Sequence, residues 1–281
     1  MKPTRCPGRH WQALLIMLAV LTGCAGVSSK QQLLEIANRG AFSSTWQSFT
    51  VTSDDISVQG LIKPGTLTSG TIPRIYIEGD GHAWINRYRP STDPTPKKPV
   101  ALELALKDPA KPVAYIARPC QYGGLDQPGC KPALWTRERF SPKVIRVMDQ
   151  AVNHIKKQLG AKKLDLIGYS GGGAIAAILA AQRNDIDTLT TVAGLLDHDY
   201  WTKRHQVQPL SGSINPIDLA HKLKIRRQIH WIGANDKVIS KQQAQRFVAA
   251  SKQVENHIET IGDQGHDCCW PEVWKRLLKQ Y

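Results

Sequence analysis

The chain has 281 residues, 41% of them apolar, enough to bury a sizeable core as one large domain, with two small domains as the alternative. Its 37 basic and 23 acidic residues give a formal net charge of +14, a balance that favours anionic surroundings. The cations are scattered (Lys97-Lys98, Lys156-Lys157, Lys162-Lys163, Arg226-Arg227) without interleaved aromatics, which argues against nucleic-acid binding and for a solvated basic surface near acidic lipid or polysaccharide.

Residues 1–23 read as a secretory signal: Lys2, Arg5 and Arg9 precede the apolar run Ala13 to Leu21, which is shorter than the ~20 residues a membrane span needs. The run ends in Leu21-Thr22-Gly23-Cys24, which resembles the lipobox of bacterial lipoproteins. That resemblance implies cleavage before Cys24, lipid on its sulfur, and, with Ala25 next, sorting to an outer membrane facing the periplasm. Ordinary secretion with cleavage near "AGVSS" and an uncleaved anchor are the alternatives. Residues 24–44 then form a tether, and 45–281 the folded domain. Export permits disulfides, and Cys120, Cys130, Cys268 and Cys269 remain as candidates. Cys120 and Cys130 would staple a Pro/Gly-rich loop; Cys268 and Cys269 could bond each other, reach the other loop, or stay reduced. No CxxC pair or HExxH helix supports a metal site.

From residue 45 the pattern alternates. "TWQSFTVTS" and "ISVQGLIKPG" form an antiparallel opening pair around Asp54-Asp55. "PRIYIEGD", "PVAYIARP", "KLDLIGYS", "DTLTTVAG", "RQIHWIGAND" and "ENHIETIGD" read as six further strands. Helical segments fall at 99–107, 141–159, 171–183, 215–224, 240–252 and 270–280, several opened by a capping Ser or Asn. The Pro-rich stretch 89–99 reads as a surface loop. The order predicts an α/β class fold, a mostly parallel eight-stranded sheet with helices on both faces. Residues 194–225, the longest loop region, are a candidate small cap. Ligands bind beyond the carboxyl ends of such strands.

Ser170 stands there, between strand and helix, within Gly168-x-Ser170-x-Gly172. A serine raised on a sharp strand-to-helix turn needs small residues two positions to either side. Plain βα packing and a phosphate-binding loop are the competing readings, the second lacking a Lys-Ser/Thr end. A serine hydroxyl also needs a base and a group to orient that base. "GANDKVI" offers Asp236 beyond a strand, and "GDQGHDCCW" offers His266 after the last strand. Asp197 and Asp199 are alternative acids; Asp263 and Asp267 lie too near His266 in the chain to be favoured. His230, inside a strand, reads as core, and His154 and His257 as structural or surface residues.

The order Ser170, Asp236, His266, with the turn around Ser170, resembles the α/β-hydrolase superfamily from about residue 45 to the end. The resemblance implies a serine hydrolase that needs no cofactor, with an oxyanion hole made of Gly171 N–H and an N–H from the loop after the third strand. That loop reads Glu78-Gly79-Asp80-Gly81 where relatives usually show His-Gly; the second donor is assigned to Asp80, with Gly81 as alternative. A carboxylate aimed at an oxyanion would oppose it, so Glu78 and Asp80 are expected to turn away and at least one to pair with Arg118. His82, Trp84, Tyr200 and Trp201 are candidate substrate contacts. The expected reaction is cleavage of a small-molecule or lipid-like acyl substrate, a carboxylic ester before an amide. The alternatives are an amidase or peptidase of the same fold, and a silent envelope lipoprotein acting as a binding module.

Overall fold

The computed structural model describes residues 29–38, 46–68, 70–110, 112–252 and 255–280. The signal segment 1–23, Cys24 and most of the tether lie outside these residues. The first described element is a helix inside the expected tether, α1 (Ser29–Asn38). Its Leu33 and Ala37, one turn apart on one face, are buried.

The eight strands follow the predicted order: β1 (Gln47–Ser53), β2 (Ile56–Lys63), β3 (Arg74–Ile77), β4 (Val113–Ile116), β5 (Leu164–Tyr169), β6 (Ile186–Val192), β7 (Arg227–Gly233) and β8 (Asn256–Ile261). They form one sheet in the order β1-β2-β4-β3-β5-β6-β7-β8. β1 and β2 pair antiparallel, β2 meets β4 antiparallel, and every pairing from β3 to β8 is parallel. After β3 the chain steps to β4 on one side, then crosses back to β5 on the other. The loops after β3 and β5 therefore diverge at a topological switch point, where open α/β sheets bind ligands.

Seven further helices connect the strands: α2 (Val100–Lys107), α3 (Pro142–Leu159), α4 (Gly171–Gln182), α5 (His198–His205), α6 (Pro216–Leu219), α7 (Lys241–Ser251) and α8 (Trp270–Leu277). α3 shows how the sequence writes its own limits. Ser141 Oγ accepts from Val144 N, Pro142 opens the first turn, and Gly160 closes the last with φ 66°. Val144, Met148, Ala151 and Ile155 lie buried along one stripe, and the larger of these each stabilise the fold by roughly 1.5–3 kcal/mol. α4 is apolar all round because it is enclosed all round, by the sheet and by α3 and α6. One core layer joins α3, α4 and α7 to the sheet; the other holds α1, α2 and α8, with Trp270 and Trp274 fully buried.

The expected loop 194–225 contains two short helices, α5 and α6, the second continuing as a 3-10 turn over Ala220–Lys222. α5 escapes a periodicity reading because only His198 and Thr202 of its residues are buried; its start is set by Asp197, whose side chain accepts from Tyr200 N. Bonds join Cys120 to Cys130 and Cys268 to Cys269. Among the described residues no helix is long and apolar enough to cross a membrane, and no group of His, Cys, Asp and Glu could hold a metal ion.

Candidate active site

Ser170 sits between β5 and α4 with φ 53° and ψ −120°, a left-handed conformation that L residues rarely adopt. The turn is tight enough to dictate its neighbours. A Cβ on Gly168 would meet Gly172 O at 2.3 Å, and one on Gly172 would meet Ile77 O at 2.2 Å, both backbone atoms with nowhere to go.

Three loops deliver one hydrogen-bonded chain. Ser170 Oγ lies 2.9 Å from His266 Nε2, and His266 Nδ1 lies 2.9 Å from Asp236 Oδ2. A carboxylate only accepts, so Nδ1 carries the imidazole proton and Nε2 is left to accept from the serine hydroxyl. The Asp236 carboxylate is fully buried and the imidazole 19% exposed. Asp236 Oδ1 is held by Val238 N at 2.7 Å and Ile239 N at 2.8 Å, which aims Oδ2 at the ring.

The histidine loop is pinned by two groups that sequence reasoning missed. Tyr169 Oη donates to His266 O at 3.0 Å, and Trp270 Nε1 donates to the same oxygen at 3.0 Å. Their adjacency in the chain to Ser170 and His266 was the available signal.

The Glu78-Gly79-Asp80-Gly81 turn departs from expectation. The anticipated Asp80–Arg118 pair forms at 2.9 Å, but Arg139 joins it at 2.6 Å, and the carboxylate does not leave the cleft. A Cβ on Gly171 would meet Asp80 Oδ1 at 2.1 Å. Two guanidiniums offset the charge in place, so the turn does not have to swing it away. Burial pushes the Asp80 carboxyl up, yet Arg139 and Arg118 outweigh it and hold it below its usual range. Burial draws Arg118 below its own ordinary value, but an arginine stays charged at any relevant pH. Arg139, directly before α3, has no motif to announce it. Glu78 is 1% exposed at the start of α2, accepting from Gly79 N, Ala101 N, Leu102 N and Tyr115 Oη. Burial pushes its carboxyl up to about 7. Gly171, at the head of α4, has an N–H without an intrahelical acceptor.

A cleft of about 700 Å³ opens over Ser170 and His266. His82, Trp84 and Trp201 line it. Tyr200 does not: it follows a different face of α5, donates to Gln242 Oε1, and lies under the Arg246 guanidinium. Asp197, the rival acid, is occupied by Tyr200 N, Asn215 and Arg246. Asp199 lies 3.1 Å from His198 Nδ1. His230 is fully buried between Thr191 and Gln228, and burial drives its imidazole down to about 3.

Residues 117–266, more than half of the chain and including Ser170, Asp236 and His266, match the family model described as serine hydrolase (FSH1). The chain belongs to the FSH1 serine hydrolase family. This hydrolase matches no curated protein sequence. Its fold superposes on an esterase of Pyrococcus furiosus with a TM-score of 0.59 at 17% identity, covering 85% of this chain and 90% of the esterase. Est1E from Butyrivibrio proteoclasticus gives 0.58 at 14% identity over 83% and 96%. A puromycin-hydrolysing peptidase of Mycobacterium tuberculosis gives 0.56 at 15% identity, with 85% of this hydrolase spanning 39% of that chain. At these identities the likenesses show a shared α/β-hydrolase fold and nothing of substrate.

Proposed function

We propose that this serine hydrolase cleaves a carboxylic ester through an acyl-enzyme, with Ser170 as nucleophile, His266 as general base and acid, and Asp236 as the group that fixes the imidazole tautomer. The carrying observation is the unbroken chain from Asp236 Oδ2 through both ring nitrogens to Ser170 Oγ on a strained turn. Ser170 Oγ attacks the acyl carbonyl while its proton passes to His266 Nε2; the same proton then protonates the departing alkoxide. Gly171 N–H and Asp80 N–H are assigned to the oxyanion, with Arg118 and Arg139 offsetting the Asp80 carboxylate beside it. Water, deprotonated by His266, then releases the acid. Ester is placed before amide because an alkoxide leaves more readily than an amide nitrogen.

The reading is tested by reaction with a fluorophosphonate. Wild type should be modified at Ser170 and Ser170→Ala left unmodified; correctly folded wild type that does not react would mark a silent module. The lipobox at Leu21 to Cys24 supports a lipid-anchored, exported protein. Incorporation of a palmitate analogue into wild type, and not into Cys24→Ser, tests that separately.

A further inference from the structure

The sheet divides the cleft into two chemically different walls. Leu195 and Trp201 arrive from the segment after β6, and Val238 and Ile239 from the loop after β7. These side chains are aliphatic or aromatic. On the opposite side of Ser170, across the switch point, the loops after β3 and β4 supply three cations, Lys97, Lys98 and Arg139, beside His82, Ala83 and Trp84.

The charges on that second wall are unevenly committed. Asp80 is taken by Arg118 and Arg139 together, and Glu78 is sealed under the start of α2. Lys97 and Lys98 are exposed and form no ion pair with the described residues; Glu103, in the first turn of α2, feels the field of Lys98. The remaining open acid of the cleft, Asp267, follows His266 on the β8 side. Both lysines line the cleft without an ion-pair partner among the described residues, Lys98 sharing the field of Glu103. The chain that leads into them is anchored: His82 N donates to Pro94 O, and Thr95 Oγ1 accepts from Tyr122 N.

We infer that Lys97 and Lys98 select substrates carrying an anionic group, a carboxylate or phosphate, on the β3/β4 side of the scissile bond, while the apolar part lies on Leu195, Trp201, Val238 and Ile239. This rests on the proposed ester hydrolysis at Ser170 and adds the charge of the substrate to it.

The test compares matched esters. 4-Nitrophenyl hexanoate against 4-nitrophenyl hemiadipate places the anion on the acyl side; methyl 4-acetoxybenzoate against 4-acetoxybenzoate places it on the alcohol side. Within wild type, at least one anionic ester should exceed its neutral partner in kcat/KM by roughly 3- to 30-fold, the range two partly exposed charge contacts supply. The preference should appear in KM and collapse in about 1 M salt, where the screening length is ~3 Å. Lys97→Gln with Lys98→Gln should abolish the ratio, and Lys97→Arg with Lys98→Arg should keep it. Fluorophosphonate modification of Ser170 in each variant reports an intact nucleophile. Neutral esters cleaved as well as both anionic ones, or a preference that survives the glutamine pair, overturns the inference and leaves the hydrolase reading standing. No cleavage of any ester together with no labelling overturns both.

Discussion

Asp236→Asn is the most informative single change, because the structure dictates which way the new amide must face. Val238 N and Ile239 N donate to Oδ1 at 2.7 and 2.8 Å. Both need an acceptor, so the asparagine oxygen stays there and its NH2 group takes the place of Oδ2, 2.9 Å from His266 Nδ1. That nitrogen must then accept, which moves the imidazole proton to Nε2, where it points at Ser170 Oγ. The ring can no longer take the serine proton. The same tautomer reversal in a chymotrypsin-type triad lowers kcat by ~10⁴, about 5.5 kcal/mol of transition-state stabilisation. A loss of that order is expected here in kcat/KM for a short 4-nitrophenyl ester, with the fluorophosphonate labelling rate falling in parallel. The two backbone hydrogen bonds persist, so the thermal midpoint should move little. Activity within tenfold of wild type, in a variant that melts normally, would refute the assigned role of Asp236.

Tyr169→Phe removes the hydroxyl that holds His266 O at 3.0 Å and keeps the ring; kcat should fall about 2- to 10-fold, the worth of one neutral hydrogen bond, and an unchanged kcat would make the bond dispensable for positioning. Asp80→Asn strips the carboxylate from two guanidiniums with side chains only 5% and 8% exposed. The expected cost is about 3–5 kcal/mol and a midpoint lower by roughly 6–20 °C, read by thermal unfolding; an unshifted midpoint would contradict it. Glu78 titrates near 7 when folded against an ordinary 4.5, so between those values the folded chain keeps a proton that the unfolded chain releases. Stability should therefore fall as pH rises from about 4.5 to 7, by roughly 3 kcal/mol, and be unaffected by this group outside that window. Glu78→Gln should flatten that slope in denaturant melts taken across the window; identical slopes would sink the assignment.

The strands were legible because each is a short stretch rich in β-branched or aromatic residues punctuated by Gly, Pro or Asp, and β5 and β6 are buried along their whole length because both of their faces are covered. Ser170, Asp236 and His266 could be placed together in advance because all three follow strands, and a parallel sheet gathers such loops at one edge. The groups around them left weaker traces. Arg139 reaches Asp80 across 59 residues, a pairing that no local pattern encodes. The stretch 89–99 was read correctly as a loop, but its part in walling the cleft depends on long-range bonds to residues 82 and 122. Tyr200 and Trp201 were indistinguishable as aromatic neighbours until α5 turned them apart. Its helix was invisible because only His198 and Thr202 of its side chains are buried.

The bridge between Cys120 and Cys130 reaches beyond its own loop. Leu125 N bonds Thr92 O, and Tyr122 N bonds Thr95 Oγ1, so the bridged hairpin is the scaffold on which the segment carrying Lys97 and Lys98 leans. Asp236, His266 and Ser170 hang from the sheet and owe it nothing. Replacing Cys120 and Cys130 by serine, which spares the Cys268–Cys269 bond beside His266, would therefore keep an assembled nucleophile beside a slackened wall. That one bond would govern which molecules are chosen, and would touch the rate through Gln121, which donates to Gly79 O in the turn assigned to the oxyanion.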